Sequence, residues 1–140
     1  MKNTELRIGN YVDLLGNTTE IECISKLPMR NTMYWLKCKD YIDTKIIHFK
    51  PIPLTEEWLL KFGFEYTNEC DEIKELVFKI SDWLKFYFNN EDNYKSGCLF
   101  VGIEETDIGS SNAVFIESVH QLQNLYFALT GKELSLKTEI

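Results

Sequence analysis

The sequence predicts an α+β protein, and three observations support that fold class. Short apolar runs of strand length, separated by Gly, Pro and Asn, fill most of the 140-residue chain. Aromatic residues make up 14% of it, a share that favours strands and supplies a core. One long amphipathic segment with helix capping signals closes the chain. We therefore expect a strand-rich half (1–52), a connecting helix (53–64), and an antiparallel sheet covered by a C-terminal helix (65–140), with one compact unit as the alternative.

The N-terminal half is predicted to hold four or five short antiparallel strands, in a small SH3-like barrel or a curled sheet. Gly9-Asn10 and Gly16-Asn17 supply the positive φ that tight hairpin turns require. Apolar and polar residues alternate, imperfectly, over 19–27, which indicates a half-buried strand. Two further strands are predicted at 33–38 and 42–49.

The connecting helix lies in PIPLTEEWLLKFGF, residues 51–64. Thr55 is the predicted N-cap, and the two glutamates that follow it are favoured by the helix dipole. Gly63 is the predicted C-terminal residue in the left-handed conformation. We expect the apolar side chains of this helix to be buried between the two halves: Trp58, Leu59 and Phe62.

The C-terminal sheet is predicted from four runs rich in aromatic and β-branched residues, at 76–81, 84–89, 98–104 and 113–117. The first of them also fits a helical period when it is extended back to residue 71, so a helix over 71–81 remains the alternative.

The closing helix has a predicted capping box at Ser118 and Gln121 and ends at Gly131. One side of it is an apolar stripe expected to pack on the C-terminal sheet: Val119, Leu122, Leu125, Tyr126 and Leu129. The opposite side carries His120, Gln123, Asn124 and Phe127.

This second side contains no charged residue between 118 and 131, whereas a solvated helix face usually does. Its composition is typical of an interface, so these four residues are candidates for contact with a protein partner or a second copy. The alternatives are that the N-terminal half or the connecting helix covers them within the chain, or that they line a small-molecule site. Tyr34 and Trp35 in the N-terminal half are further interaction candidates.

The net charge of −7 is unevenly distributed. Residues 1–63 hold 9 Lys and Arg against 8 Asp and Glu, whereas residues 64–140 hold 6 against 14, giving +1 and −8. The acidic half repels phosphate backbones, so a nucleic-acid partner is not expected. A basic face on the N-terminal half is the alternative, and it requires Lys26, Arg30, Lys37, Lys39 and Lys45 to converge beside Tyr34 or Trp35.

The sequence contains no motif of a named chemistry, so we assign no catalytic residue, cofactor or metal. The cysteines at 23, 38, 70 and 98 form no C-x-x-C pair, and the two histidines, His48 and His120, lie far apart. Glu104, Glu105 and Asp107 are interpreted as loop residues that aid solubility. The N-terminus has no apolar signal region and no run is long enough to span a bilayer, which predicts a cytoplasmic protein.

Three sequence blocks are distinctive: LRIGNYV at 6–12, PIPLTEEWLLKFGF at 51–64, and VHQLQNLYFALTGKEL at 119–134. Through these blocks the chain resembles a family of small uncharacterised proteins of gut bacteria and their phages or mobile elements. The resemblance implies an accessory role and carries no site residues. We therefore expect a non-enzymatic binding or adaptor protein. The alternative is a pocket protein that sequesters a small molecule or nucleotide, or a weak enzyme, with its site between the two halves.

Overall fold

The computed structural model describes residues 5–27, 33–39, 44–66, 75–81, 84–89, 98–103 and 111–137. The predicted α+β class is confirmed, and these residues form two antiparallel five-stranded sheets and two α-helices. The chain divides into two compact units, Met1–Pro53 with Ser118–Glu133, and Leu54–Glu117 with Leu134–Ile140. This division differs from the predicted one, because the structure groups the closing helix with the N-terminal sheet and not with the C-terminal one.

The first unit contains a sheet of the order β4-β3-β2-β1-β5. Its two outer strands, β4 and β5, are not paired with each other in the described residues, so this sheet is open and the predicted barrel closure is not observed. The strands are β1 (Tyr11–Leu14), β2 (Asn17–Leu27), β3 (Met33–Cys38), β4 (Thr44–Lys45) and β5 (Phe49–Lys50).

The single strand predicted at 42–49 is wrong over its described part. A 3-10 turn at Ile46–His48 separates β4 from β5. The reason is topological: β4 pairs with β3 and β5 pairs with β1, so the two lie on opposite edges of one sheet. A continuous strand cannot reach both edges.

The core of the first unit is built from the inward side chains of these strands. In β1, Val12 and Leu14 are buried while their neighbours are half-buried, as the two-residue period of a strand requires. The buried apolar residues of this cluster are Leu6, Val12, Leu14, Ile21, Leu36, Cys38 and Phe49.

The second unit contains a sheet of the order β10-β9-β8-β7-β6. Residues 75–79 form a strand, which confirms the strand interpretation there, while residues 71–74 lie outside the described residues. The ring of Phe64 packs against Phe78 in a tilted arrangement and is stacked on Phe86, with centroids 5.1 and 6.5 Å away. The strands are β6 (Glu65–Tyr66), β7 (Glu75–Lys79), β8 (Leu84–Asn89), β9 (Cys98–Ile103) and β10 (Ser111–Phe115).

Helix α1 (Glu56–Phe62) has the predicted caps. The Thr55 hydroxyl accepts a hydrogen bond from the Trp58 backbone N–H at 3.4 Å, and Gly63 has φ of 99°. Leu59 and Phe62 are buried, whereas Trp58 is half-buried.

Helix α2 (Val119–Thr130) also has its predicted ends, with the capping box at Ser118 and Gly131 at φ of 71°. Its predicted apolar stripe holds only in the first half of the helix. Val119 and Leu122 are buried, but Leu129 is 45% exposed. The buried side chains of α2 are confined to residues 119–123.

Candidate functional site

The uncharged side of α2 contacts the turn that precedes β1. Gln123, which is only 1% exposed, uses both ends of its amide there. Its Oε1 accepts a hydrogen bond from the backbone N–H of Tyr11 at 2.8 Å, and its Nε2 donates to the carbonyl oxygen of Gly9 at 2.9 Å. The Gln123 side chain therefore satisfies one backbone N–H and one backbone carbonyl group of the turn.

Asn124 binds the same turn through three more hydrogen bonds. Its Oδ1 accepts from Asn10 Nδ2 at 2.9 Å and from Arg7 Nη1 at 3.1 Å. Its Nδ2 donates to the carbonyl oxygen of Glu5 at 2.6 Å. Because Asn10 is itself fully buried, Asn124 satisfies a polar group that has no access to water.

Arg7 extends this contact to the end of α2. Its guanidinium lies 3.8 Å from the ring centroid of Phe127 and forms an ion pair with Glu133. Phe127 stays 38% exposed. Arginine over an aromatic face is a favourable arrangement at a partly solvated site.

The uncharged face of α2 is therefore mainly an intrachain surface, as the covered alternative predicted. Its members His120 and Gln123 are buried, Asn124 is half-buried and bonded to the turn, and Phe127 is exposed. The segments 6–12 and 119–134 therefore contact each other here.

His120 is buried to 2% exposure near the start of α2. Its Nδ1 lies 3.1 Å from the hydroxyl of Ser118, and its Nε2 has no hydrogen-bond partner among the described residues. Burial lowers the pKa of His120, while the nearby carboxylate of Glu5 acts in the opposite direction. The His120 ring therefore lies in the interior of the described structure. The second histidine, His48, is exposed in the 3-10 turn.

Trp35 lies on the outer face of β3, because its neighbour Leu36 is fully buried. Lys45 on β4 is directly opposite, with its Nζ 5.7 Å from the indole centroid. Tyr34 is half-buried, and Tyr41 lies outside the described residues.

Of the basic residues that the nucleic-acid alternative required, Arg30 lies outside the described residues. Lys37 is exposed on the same strand as Trp35, and Lys39 is exposed directly after that strand. The neighbouring strand β2, however, carries Glu20 and Glu22, and the backbone N–H of Lys39 donates to the carbonyl oxygen of Glu20 at 3.1 Å. Carboxylates beside the lysines reduce the positive potential that phosphate binding needs.

Sequence reasoning missed Leu15, which is the most exposed large apolar residue in the described part of the chain. It was predicted that Gly16-Asn17 forms the turn between β1 and β2. The structure places the turn one residue earlier, at Leu15-Gly16, since Leu14 pairs with Asn17. Leu15 consequently has a positive φ of 52° and is 81% exposed. The short side chain of Asp13 fixes the turn by accepting from the Gly16 N–H at 2.7 Å.

A second exposed apolar residue lies in the 3-10 turn of the same unit. Leu14 pairs with Phe49, so the strand register brings Leu15 to the level of the 3-10 turn that precedes Phe49. In that turn Ile47 is 70% exposed. We call Leu15 and Ile47 together the apolar tip. The sequence signal for it was a leucine directly before the glycine of a hairpin turn, where Asn is the usual residue.

The described residues contain no group of three or more His, Cys, Asp and Glu side chains placed to hold a metal ion. In this part of the chain, too, neither helix is long and apolar enough to cross a membrane. Glu104, Glu105 and Asp107 lie outside it.

One open pocket of about 670 Å³ lies on the second unit. Its two lysines are already engaged by glutamates, Lys61 with Glu57 at 2.9 Å and Lys137 with Glu65 at 3.7 Å. This arrangement leaves little positive charge for an anionic ligand. The lining residues are Glu57, Leu60, Lys61, Leu136 and Lys137.

The chain matches no protein-family model, and searches of curated proteins and of solved structures found nothing similar to it.

Proposed function

We propose that this chain is a non-enzymatic binding or adaptor protein that contacts a protein partner through the apolar tip. One observation carries the proposal: Leu15 combines a left-handed backbone with 81% exposure of its side chain. Each feature is unfavourable for the isolated protein. A left-handed conformation costs a non-glycine residue roughly 1–2 kcal/mol, and an exposed leucine gains nothing from burial.

A partner that covers the tip would recover part of this cost. Burying a leucine or isoleucine side chain contributes roughly 1.5–3 kcal/mol each. Unfavourable backbone conformations recur at binding sites for this reason, because the surrounding fold holds a residue where the partner needs it. Asp13 and the pairing of Leu14 with Asn17 hold the turn in this chain.

The finer features of the proposal have separate support. The SH3-like comparison is supported by the pairing of β1 with β5 and by the 3-10 turn between β4 and β5. A cytoplasmic accessory role for a phage or mobile element is supported by the resemblance of the three sequence blocks. Phe127 and Trp35 remain secondary candidates for the contact.

Leu15→Asn tests the energetic half of the argument. We expect the free energy of unfolding to rise by about 0.5–1 kcal/mol, because Asn adopts the left-handed region more readily than Leu. Denaturant unfolding measures the change. The matched control is Leu129→Asn, another exposed leucine but within a regular helix, where a loss of a few tenths of a kcal/mol is expected. A loss of stability in Leu15→Asn would contradict the argument that Leu15 is strained.

Photo-cross-linking tests whether the apolar tip contacts a protein partner. The full chain, with a photoreactive phenylalanine analogue at position 47, is expressed in its native host cells and irradiated. We expect a discrete cross-linked protein that disappears when Leu15→Asn is added and that is not obtained with the analogue at position 129. The proposal fails if the cross-links at positions 47 and 129 are the same, or if Leu15→Asn leaves them unchanged.

A further inference from the structure

The edge strands of the two sheets, as far as the structure describes them, differ in charge. Three of the four contain one charged residue each: Lys45 in β4, Lys50 in β5 and Glu65 in β6. Charged residues are a usual protection of a sheet edge against further pairing. The fourth edge strand among the described residues, β10, contains no charged residue.

The sequence around β10 carries no charge at all. Nine consecutive residues, 108–116, include no Asp, Glu, Lys or Arg, although residues 64–140 as a whole have a net charge of −8. They also include no Pro, which would interrupt pairing. A charge-free stretch of this length in an otherwise acidic region needs a physical reason.

The backbone of β10 presents an open edge of complementary groups. All five residues pair with β9, from Ser111 opposite Gly102 to Phe115 opposite Cys98. No strand of the described residues pairs with the other side of β10. In an antiparallel strand alternate residues direct their N–H and C=O groups outward, so this side is a row of alternating donors and acceptors.

This row is complementary to itself under a two-fold rotation. A second β10 turned by 180° presents an acceptor to each donor, which is the geometry of an isologous interface. The full overlap of five residues places Ala113 opposite its own copy at the centre. The missing charge then has a reason, since like charges opposite each other would oppose pairing.

We propose that β10 is an interaction surface for a second copy of this chain, joined edge to edge by antiparallel pairing of the two β10 strands. The second copy is favoured over a foreign strand because the edge is self-complementary and carries no charge that would select a different partner. The inference is independent of the apolar tip, which lies on the first unit.

Light scattering after size exclusion, over a series of concentrations, tests the proposal on the full chain. We expect a wild-type dimer, and we expect Ala113→Lys and Ala113→Glu each to weaken dimerisation at least about tenfold through like-charge contact. A mixture of the two variants should dimerise again. The matched control is Thr44→Lys, which adds a lysine to the β4 edge and should leave the dimer unchanged.

Hydrogen exchange on the wild type tests the same contact without mutation, in case a variant at 113 misfolds. Protection of amides in 111–115 should increase with protein concentration, while that in the 75–79 strand should not. A wild type that is monomeric at every concentration, or concentration-independent exchange in 111–115, would overturn the proposal. So would a dimer that survives Ala113→Lys.

Discussion

Gln123→Ala is expected to lower the free energy of unfolding by roughly 2–4 kcal/mol. The substitution removes both hydrogen bonds of a buried amide and leaves the Tyr11 N–H and the Gly9 carbonyl without their partner. An unmade hydrogen bond at a buried group costs more than an average bond contributes, because water cannot replace it. Thermal or denaturant unfolding measures the loss.

The neighbouring Gln121→Ala is the matched control, since it removes the same side chain from the same helix. Gln121 is half-buried, and its Oε1 accepts from the Ser118 N–H at 3.3 Å as part of the capping box. We expect a loss of about 1 kcal/mol, typical of a cap. Equal losses in the two variants would show that the contact between α2 and the turn at 7–10 does not contribute more than a helix cap.

The free energy of unfolding is expected to fall as the pH is lowered from about 7 towards 5, because of His120. Burial lowers the pKa of this imidazole in the folded chain below its unfolded value. Between the two pKa values the unfolded state binds more protons than the folded state, so acid favours unfolding. Above the unfolded pKa the ring is neutral in both states and the effect vanishes.

His120→Asn isolates this contribution. The shorter amide can retain a contact with the Ser118 hydroxyl, which lies 3.1 Å from His120 Nδ1, and it does not titrate. The carboxylates contribute equally to both proteins and cancel when the two free energies of unfolding are subtracted. The remaining difference should therefore depend on pH only in the range where histidine titrates. If His120→Asn keeps the full pH dependence, His120 is not the group responsible.

These two predictions depend on a contact that sequence reasoning allowed but could not choose. The uncharged side of α2 suggested either an interface or an internal surface, and composition does not separate them because both are depleted in charge. Gln123 and its partner Tyr11 are 112 positions apart, and Asn124 and Glu5 are 119 apart. No local pattern encodes which of several distant segments such an amide will reach.

The hairpin turn shows a different limit of sequence reasoning. Gly9 and Gly16 were predicted to have positive φ, and both do, at 92° and 87°. The position of the second turn was nevertheless shifted by one residue, because strand register and not turn propensity decided it. Leu14 must be buried on the sheet, and this requirement forces Leu15 into the conformation that Asn17 would have adopted more easily.

Local sequence signals specify the individual helices and strands of this protein. The caps of α1 at Thr55 and Gly63, those of α2 at Ser118 and Gly131, and the strand at 33–38 follow from residues within a few positions of each other. Contacts between distant segments group α2 with the first sheet, leave Leu15 and Ile47 exposed, and place β10 at an edge among the described strands. Hydrogen bonds and burial between distant segments make those choices, and several pairings of the same local elements satisfy the sequence pattern equally well.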